Sequence, residues 1–174
     1  NASGATVSFW YRHPTGSAKV KGWNPLVVLG DDYGGENWKH GIVLSDGSPM
    51  VARRGSTELF DAKSIAAKTG SGATVTGAID DGDWHHLALR YSRPGCAAGN
   101  CPTADRFVIT LFVDGKVAGE EVATVAANVY KLFVGTLSNG SVYAAQNNWD
   151  NTNKRLNTIA DIDDITVFGT ALSM

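Results

Sequence analysis

Cysteine and proline are scarce in this sequence, two and five of its 174 residues, and no uncharged apolar run approaches the roughly 18 residues that a bilayer-spanning helix requires. Helical insertion into a membrane is therefore not expected. Residues 1–4 lack the basic-then-apolar order of a secretion signal, so the chain reads as soluble and already processed. A surplus of one charge is missing too: the formal net charge is -2, with Lys and Arg scattered among acidic residues. That leaves no electrostatic footprint for nucleic acid. Strong helix formers are few outside short Ala clusters, whereas glycine is abundant at 20 residues and Asn, Ser and Thr are frequent. This balance disfavours a helical core and favours many strands joined by turns. With 43% hydrophobic residues there is enough apolar material for one core, and the expectation is a single domain over 1–174.

The two cysteines, Cys96 and Cys101, flank Ala-Ala-Gly-Asn in a proline-bounded loop. A disulfide between them would close a small ring and would point to an oxidising compartment. Two free thiols or half of a zinc site are the alternatives, and no second Cys or His pair stands nearby at metal spacing.

What the sequence does have is period-two alternation, repeated between turn residues. Strands are expected over 6–11, 26–30, 41–45, 50–53, 74–79, 84–91, 106–113, 116–122, 131–135 and 159–168, with no long amphipathic helix between them. A βαβ architecture is thereby disfavoured. In 106–113, Phe107, Ile109, Leu111 and Val113 share one face, and Asp114-Gly115 supplies a tight hairpin turn. In 84–91, His85, Leu87, Leu89 and Tyr91 form the core face and Arg90 points outward. Only 61–68 admits a helical reading, too short to matter architecturally, while 70–72 and 147–157 read as polar surface loops. The expected fold class is an all-β antiparallel sandwich.

Four ordered motifs carry a family resemblance: Thr6-Val-Ser-Phe-Trp10, Asp81-Gly-Asp-Trp-His-His-Leu-Ala88, Leu111-Phe-Val-Asp-Gly-Lys116, and Ile162-Asp-Asp-Ile-Thr-Val-Phe168 with Ala171-Leu-Ser173. Together they resemble laminin-G-like domains of the concanavalin-A-like lectin and glucanase superfamily. The resemblance implies a jelly-roll of two packed sheets, an extracellular or cell-surface setting, and a glycan or a cell-surface protein as partner. Such domains commonly have a further strand before the Phe-Trp strand. Here only residues 1–5 precede it, which suggests a piece of a larger multidomain protein. The Cys96–Cys101 insertion has no family role assigned to it.

Simple alternation would put Asp163 on one face with Ile165 and Val167, and a carboxylate facing a core needs a partner. Calcium is one answer, with Asp161 and backbone carbonyls completing its six to eight oxygens. Backbone N–H donors are the other. The resemblance adds weight to a structural calcium near such a closing strand. Asp31-Asp32 and the acidic run 80–83 read as solvated turns. Catalysis is not expected: Asp161, Asp163 and Asp164 superficially follow the alternate-carboxylate layout of glucanases, yet no Glu stands in the stretch and no acid/base pair is complete. His85 and His86 point to opposite faces, for core packing and surface hydrogen bonding, and no Gly-x-Ser-x-Gly elbow is present.

Binding, of a glycan or of a protein, is the expected role, with a purely structural spacer in a larger protein as the alternative. Sugar rings present C–H faces to aromatic planes and hydroxyls to polar side chains. Trp23, Tyr33, Trp38 and Trp149 are the candidate platforms, with Arg53, Asn148 and Asp150 as polar partners. Structural lids are the competing role for these indoles, as expected for Trp10 and Trp84 in their strands. Asn1-Ala-Ser3 and Asn139-Gly-Ser141 are N-glycosylation acceptors if the source glycosylates.

Overall fold

A computed structural model describes residues 4–18, 23–30, 38–45, 47–53, 60–61, 77–93, 106–124, 131–134, 136–137, 156–157 and 160–169. Alternating apolar positions place twelve strands there: β1 (Gly4–Arg12), β2 (Trp23–Gly30), β3 (Trp38–Ser45), β4 (Ser48–Arg53), β5 (Phe60–Asp61), β6 (Trp84–Ser92), β7 (Arg106–Val113), β8 (Lys116–Thr124), β9 (Lys131–Val134), β10 (Thr136–Leu137), β11 (Leu156–Asn157) and β12 (Asp161–Phe168). The described residues contain no helix.

One five-stranded sheet runs β12-β1-β6-β7-β8, a second runs β5-β4-β3-β2-β9, and β10 pairs with β11 apart from both. Every pairing is antiparallel. The core draws on both five-stranded sheets: Val7, Phe9 and Tyr11 of β1, Leu87, Leu89 and Tyr91 of β6, and Ile109, Leu111 and Val113 of β7 cluster with Leu26 and Val27 of β2, Ile42 and Leu44 of β3, and Val51 of β4. The expected inner faces of β6 and β7 are those found. Burial of apolar area on these faces is the main force holding the two layers together.

Three features depart from simple alternation. In β2, Pro25 lies opposite Val43 and Val27 opposite Ile42, so Leu26 is the extra residue of a bulge, and both Leu26 and Val27 are buried. A proline without an N–H is tolerated where the ladder is already irregular. In 74–79, the described part is not a strand. Gly77 has φ 80, and Ile79 instead donates its N–H to the Gly47 carbonyl at 2.8 Å while its side chain enters the core. In 147–157, Leu156–Asn157 is the strand β11 rather than loop. Of the helical reading over 61–68, Asp61 belongs to β5 and the rest lies outside the described residues.

The third departure corrects the expectation for Asp163. Opposite β1, Thr166 pairs with Ser8 and Asp163 with Trp10, so three steps of β12 face two of β1. Asp164 takes up the extra residue with φ 50; its N–H donates to Asp163 Oδ1 at 2.8 Å, and its carbonyl accepts from Thr166 Oγ1 at 3.3 Å. The bulge inverts the side-chain phase. Val167 therefore lies on the inner side opposite Val7, still 57% exposed at the sheet edge, and Asp163 stands exposed on the outer side beside Trp10.

Candidate functional site

The outer face of the first sheet carries a regular array, set by register alone. Along one rung Asp163 of β12, Trp10 of β1 and His86 of β6 are neighbours; along the next rung stand Asp161, Arg12 and Trp84. Alternation requires this, because Phe9, Tyr11, His85 and Leu87 take the inner positions between them. With strands about 4.8 Å apart and same-face residues about 6.7 Å apart, the six residues cover a patch of roughly 10 by 7 Å between Cα atoms.

Side-chain contacts hold the array in place. The Arg12 guanidinium donates through Nε and Nη2 to Asp161 Oδ2, at 3.0 and 2.7 Å, and lies 4.7 Å from the centroid of the Trp84 ring. Trp10 and His86 approach at 5.1 Å between centroids with planes tilted by 55°. Both indoles remain 40% exposed. Farther along the same face the surface closes: Thr6, Ala88, Thr110 and Phe112 are buried, with the Arg90 guanidinium over the Phe112 ring. Among the described residues the two exposed indoles thus stand together at the end of the sheet that carries Arg12, while at the far end Phe168, opposite Thr6, is a separate exposed ring at 37%.

A second polar group lies at the same end, on the inner side. His85 places Nδ1 2.9 Å from Asp114 Oδ2 and Nε2 3.0 Å from Asp81 Oδ1. Both partners are carboxylates, which accept, so both ring nitrogens donate and the imidazolium is the form that fits. Burial pulls the His85 pKa down, but the hydrogen bonds and charges of Asp114 and Asp81 outweigh it, and the net shift is upward. Asp81 is held low, first by the Asp83 N–H and then by His85. Asp114 also accepts the His86 N–H at 2.9 Å through its other oxygen. His85 therefore clamps the turn before β6 to the β7–β8 hairpin; its expected role as simple core packing is too plain. His86 stacks beside an indole, a contact that an assignment to surface hydrogen bonding leaves out. Within the acidic run, Asp81 makes the expected turn, but Asp80 is buried at 5% exposure.

The loop residues singled out from sequence fare differently. Trp23 lies opposite Ser45, whereas Trp38 lies opposite Gly30 and Arg53 opposite His40. Backbone register thus brings Trp38 and Arg53 to one end of the second sheet and puts Trp23 at the other, about 23 Å away at 3.3 Å per residue. Their side chains, and Tyr33, Asn148, Trp149, Asp150, Cys96 and Cys101 entirely, lie outside the described residues. Asp161 and Asp163 do come together on one face, but Arg12 takes an oxygen of the first and the Asp164 N–H an oxygen of the second. No group of three or more His, Cys, Asp or Glu suited to a metal occurs among the described residues. Trp10 and Trp84, expected to be lids, are the exposed indoles among the described side chains. The signal was present in the alternation, which leaves both opposite the core positions.

Neither a family model nor a curated relative matches the sequence. Solved structures do. A Trypanosoma rangeli sialidase in complex with a difluoro derivative of a deoxynononic acid matches over 98% of this chain and 21% of its own, with TM-score 0.59 and 12% identity. An endo-β-1,4-glucuronan lyase from the fungus Trichoderma reesei matches over 97% and 69%, with TM-score 0.52 and 12% identity. Domains LG4-5 of mouse laminin α1 match over 99% and 37%, with TM-score 0.51 and 17% identity. The chain spans about a fifth of the sialidase. Its two packed antiparallel sheets and these likenesses give the chain the concanavalin-A-like jelly-roll fold found in laminin G domains.

Proposed function

We propose that the protein is a non-catalytic glycan-binding module of a larger extracellular protein, and that Trp10 and Trp84 are its sugar platform. The observation that carries this reading is the pair of half-exposed indoles on one flat face, flanked by Arg12, Asp161, Asp163 and His86. Large aromatic rings exposed together forgo hydrophobic burial, and their faces suit the C–H faces of pyranose rings. The similar structures include a sialidase bound to a sugar acid and a laminin domain pair, and the same fold also serves a lyase, so the fold alone does not choose between binding and catalysis. Against catalysis stands the geometry of the acidic strand: its carboxylates lie on an open face, with Asp161 engaged by Arg12, where a glycosidase needs an acid and a base across a bound sugar.

Glycan-array binding of the wild type and of Trp10→Ala, Trp84→Ala and Trp38→Ala tests the proposal. Each platform substitution is expected to weaken glycan binding about tenfold, the usual cost at a hot spot, with Trp38→Ala close to wild type. A flat array for the wild type overturns it, and retained binding to deglycosylated cell surfaces would favour a protein-binding adhesion domain instead. Loss through Trp38→Ala alone would move the site to the loops of the second sheet. A structural calcium ion at Asp161 and Asp163 is a separate proposal, in which the ion would share Asp161 with Arg12 or displace it; it predicts a melting temperature that falls on chelation.

A further inference from the structure

We infer that the platform takes uncharged glycans and rejects acidic ones, with Asp163 as the discriminating residue; this rests on the glycan-binding reading above. Among the described residues the charged groups of the array are Asp161 and Asp163 from β12 and Arg12 from β1, with the exposed Asp164 next to Asp163 in the chain, three carboxylates against one guanidinium. The charge of that guanidinium is balanced within the array by Asp161. Two of its donors go to one Asp161 oxygen, and its plane lies on the Trp84 ring. The remaining strong donor on that face, Arg90, lies two rungs beyond His86, where it reaches Thr110 and covers Phe112.

On the other side of the balance, Asp163 uses one oxygen for the Asp164 N–H and has no partner for the second among the described residues. An ionised carboxylate only accepts hydrogen bonds. Sugar hydroxyls bring the matching donors. A uronic or sialic acid instead brings a second acceptor with the same charge, and among the described residues it finds no cation at Trp10 that a carboxylate does not already balance. One such like-charge encounter at ~5 Å in water is worth about fourfold in affinity at low salt, and the exposed Asp164 adds to it while Asp161 and Arg12 offset one another.

The test uses glycan pairs matched in ring and linkage but differing in charge: β-1,4-linked oligoglucose against oligoglucuronate, and lactose against sialyllactose. Affinities are measured by titration calorimetry at about pH 8 and ~10 mM salt with chelator present. The neutral member of a binding pair is expected to bind roughly tenfold more tightly, and the ratio should shrink in ~0.5 M salt, which a purely steric preference would not do. Asp163→Asn keeps the acceptor for the Asp164 N–H and removes the charge, so the neutral-to-acidic affinity ratio should narrow about threefold, whatever the substitution does to the neutral member's own affinity. Equal or tighter binding of the acidic member, or an unchanged ratio in Asp163→Asn, overturns the charge inference and leaves the platform standing. Binding of neither member of any pair removes the glycan-binding reading and this inference with it.

Discussion

At the scale of single residues the clearest consequence belongs to His85. Its pKa is raised above the ordinary 6.5, so the stability it contributes is complete below that value and is lost as pH rises through the raised one. Asp81 is lowered from 3.8, so its contribution is complete above 3.8 and is lost as pH falls through the lowered value. The clamp therefore works fully between about pH 4 and 6.5. Comparing wild type with His85→Gln by thermal melts should give the widest gap near pH 5–6 and a narrower one by pH 9. A gap independent of pH would assign His85 a packing role only. The sequence made His85 visible as an inner-face residue, because alternation with Leu87 and Leu89 is local. Its partners were not legible. Asp81 and Asp114 are drawn to it from the preceding turn and from a hairpin 29 residues on, by pairings that no local pattern encodes.

At the scale of elements, the bulge in β12 decides which face the acidic residues occupy. Asp164 holds a left-handed conformation at φ 50, which glycine adopts without cost and a β-branched residue does not. Asp164→Gly should thus leave stability within about 0.5 kcal/mol of wild type, whereas Asp164→Val should lose about 1–2 kcal/mol, read from denaturant midpoints. If Val is tolerated, the bulge is softer than the register implies. Strand existence was largely readable because apolar residues recur every second position between turn residues. The inserted residue left only a break in that pattern, the consecutive Asp163-Asp164 that set Ile162 and Ile165 three apart, and strict alternation passes over it. One residue of slip moved Asp163 from an inner to an outer face and changed its chemistry from a buried anchor to an exposed acceptor. Trp10 and Trp84 show the opposite case. Their outward direction was legible, but whether anything covers an outward indole depends on what packs over that end of the sheet.

At the scale of the whole molecule, the proposed function draws stability and recognition from opposite faces of one sheet. Leu87 is fully buried among residues of both layers, and Leu87→Ala should cost about 3 kcal/mol or more. Trp10→Ala removes a half-exposed ring on the far side and should change stability by no more than about 1 kcal/mol while abolishing most binding. Parallel melts and binding isotherms of the two variants check this. A Trp10→Ala protein as unstable as Leu87→Ala would make that indole a structural lid after all.

The Arg12–Asp161 pair joins positions 149 apart in sequence, with β6 between them in the chain and alongside in space. A sugar resting on Asp163, Trp10 and Trp84 together would read three strands that meet only when the sheet is complete. A partly made or misregistered chain has no such surface, whatever its core has achieved. Ligand capture would then act as an assay of finished topology: a column bearing the right glycan would retain correctly assembled molecules and let collapsed but misthreaded ones pass.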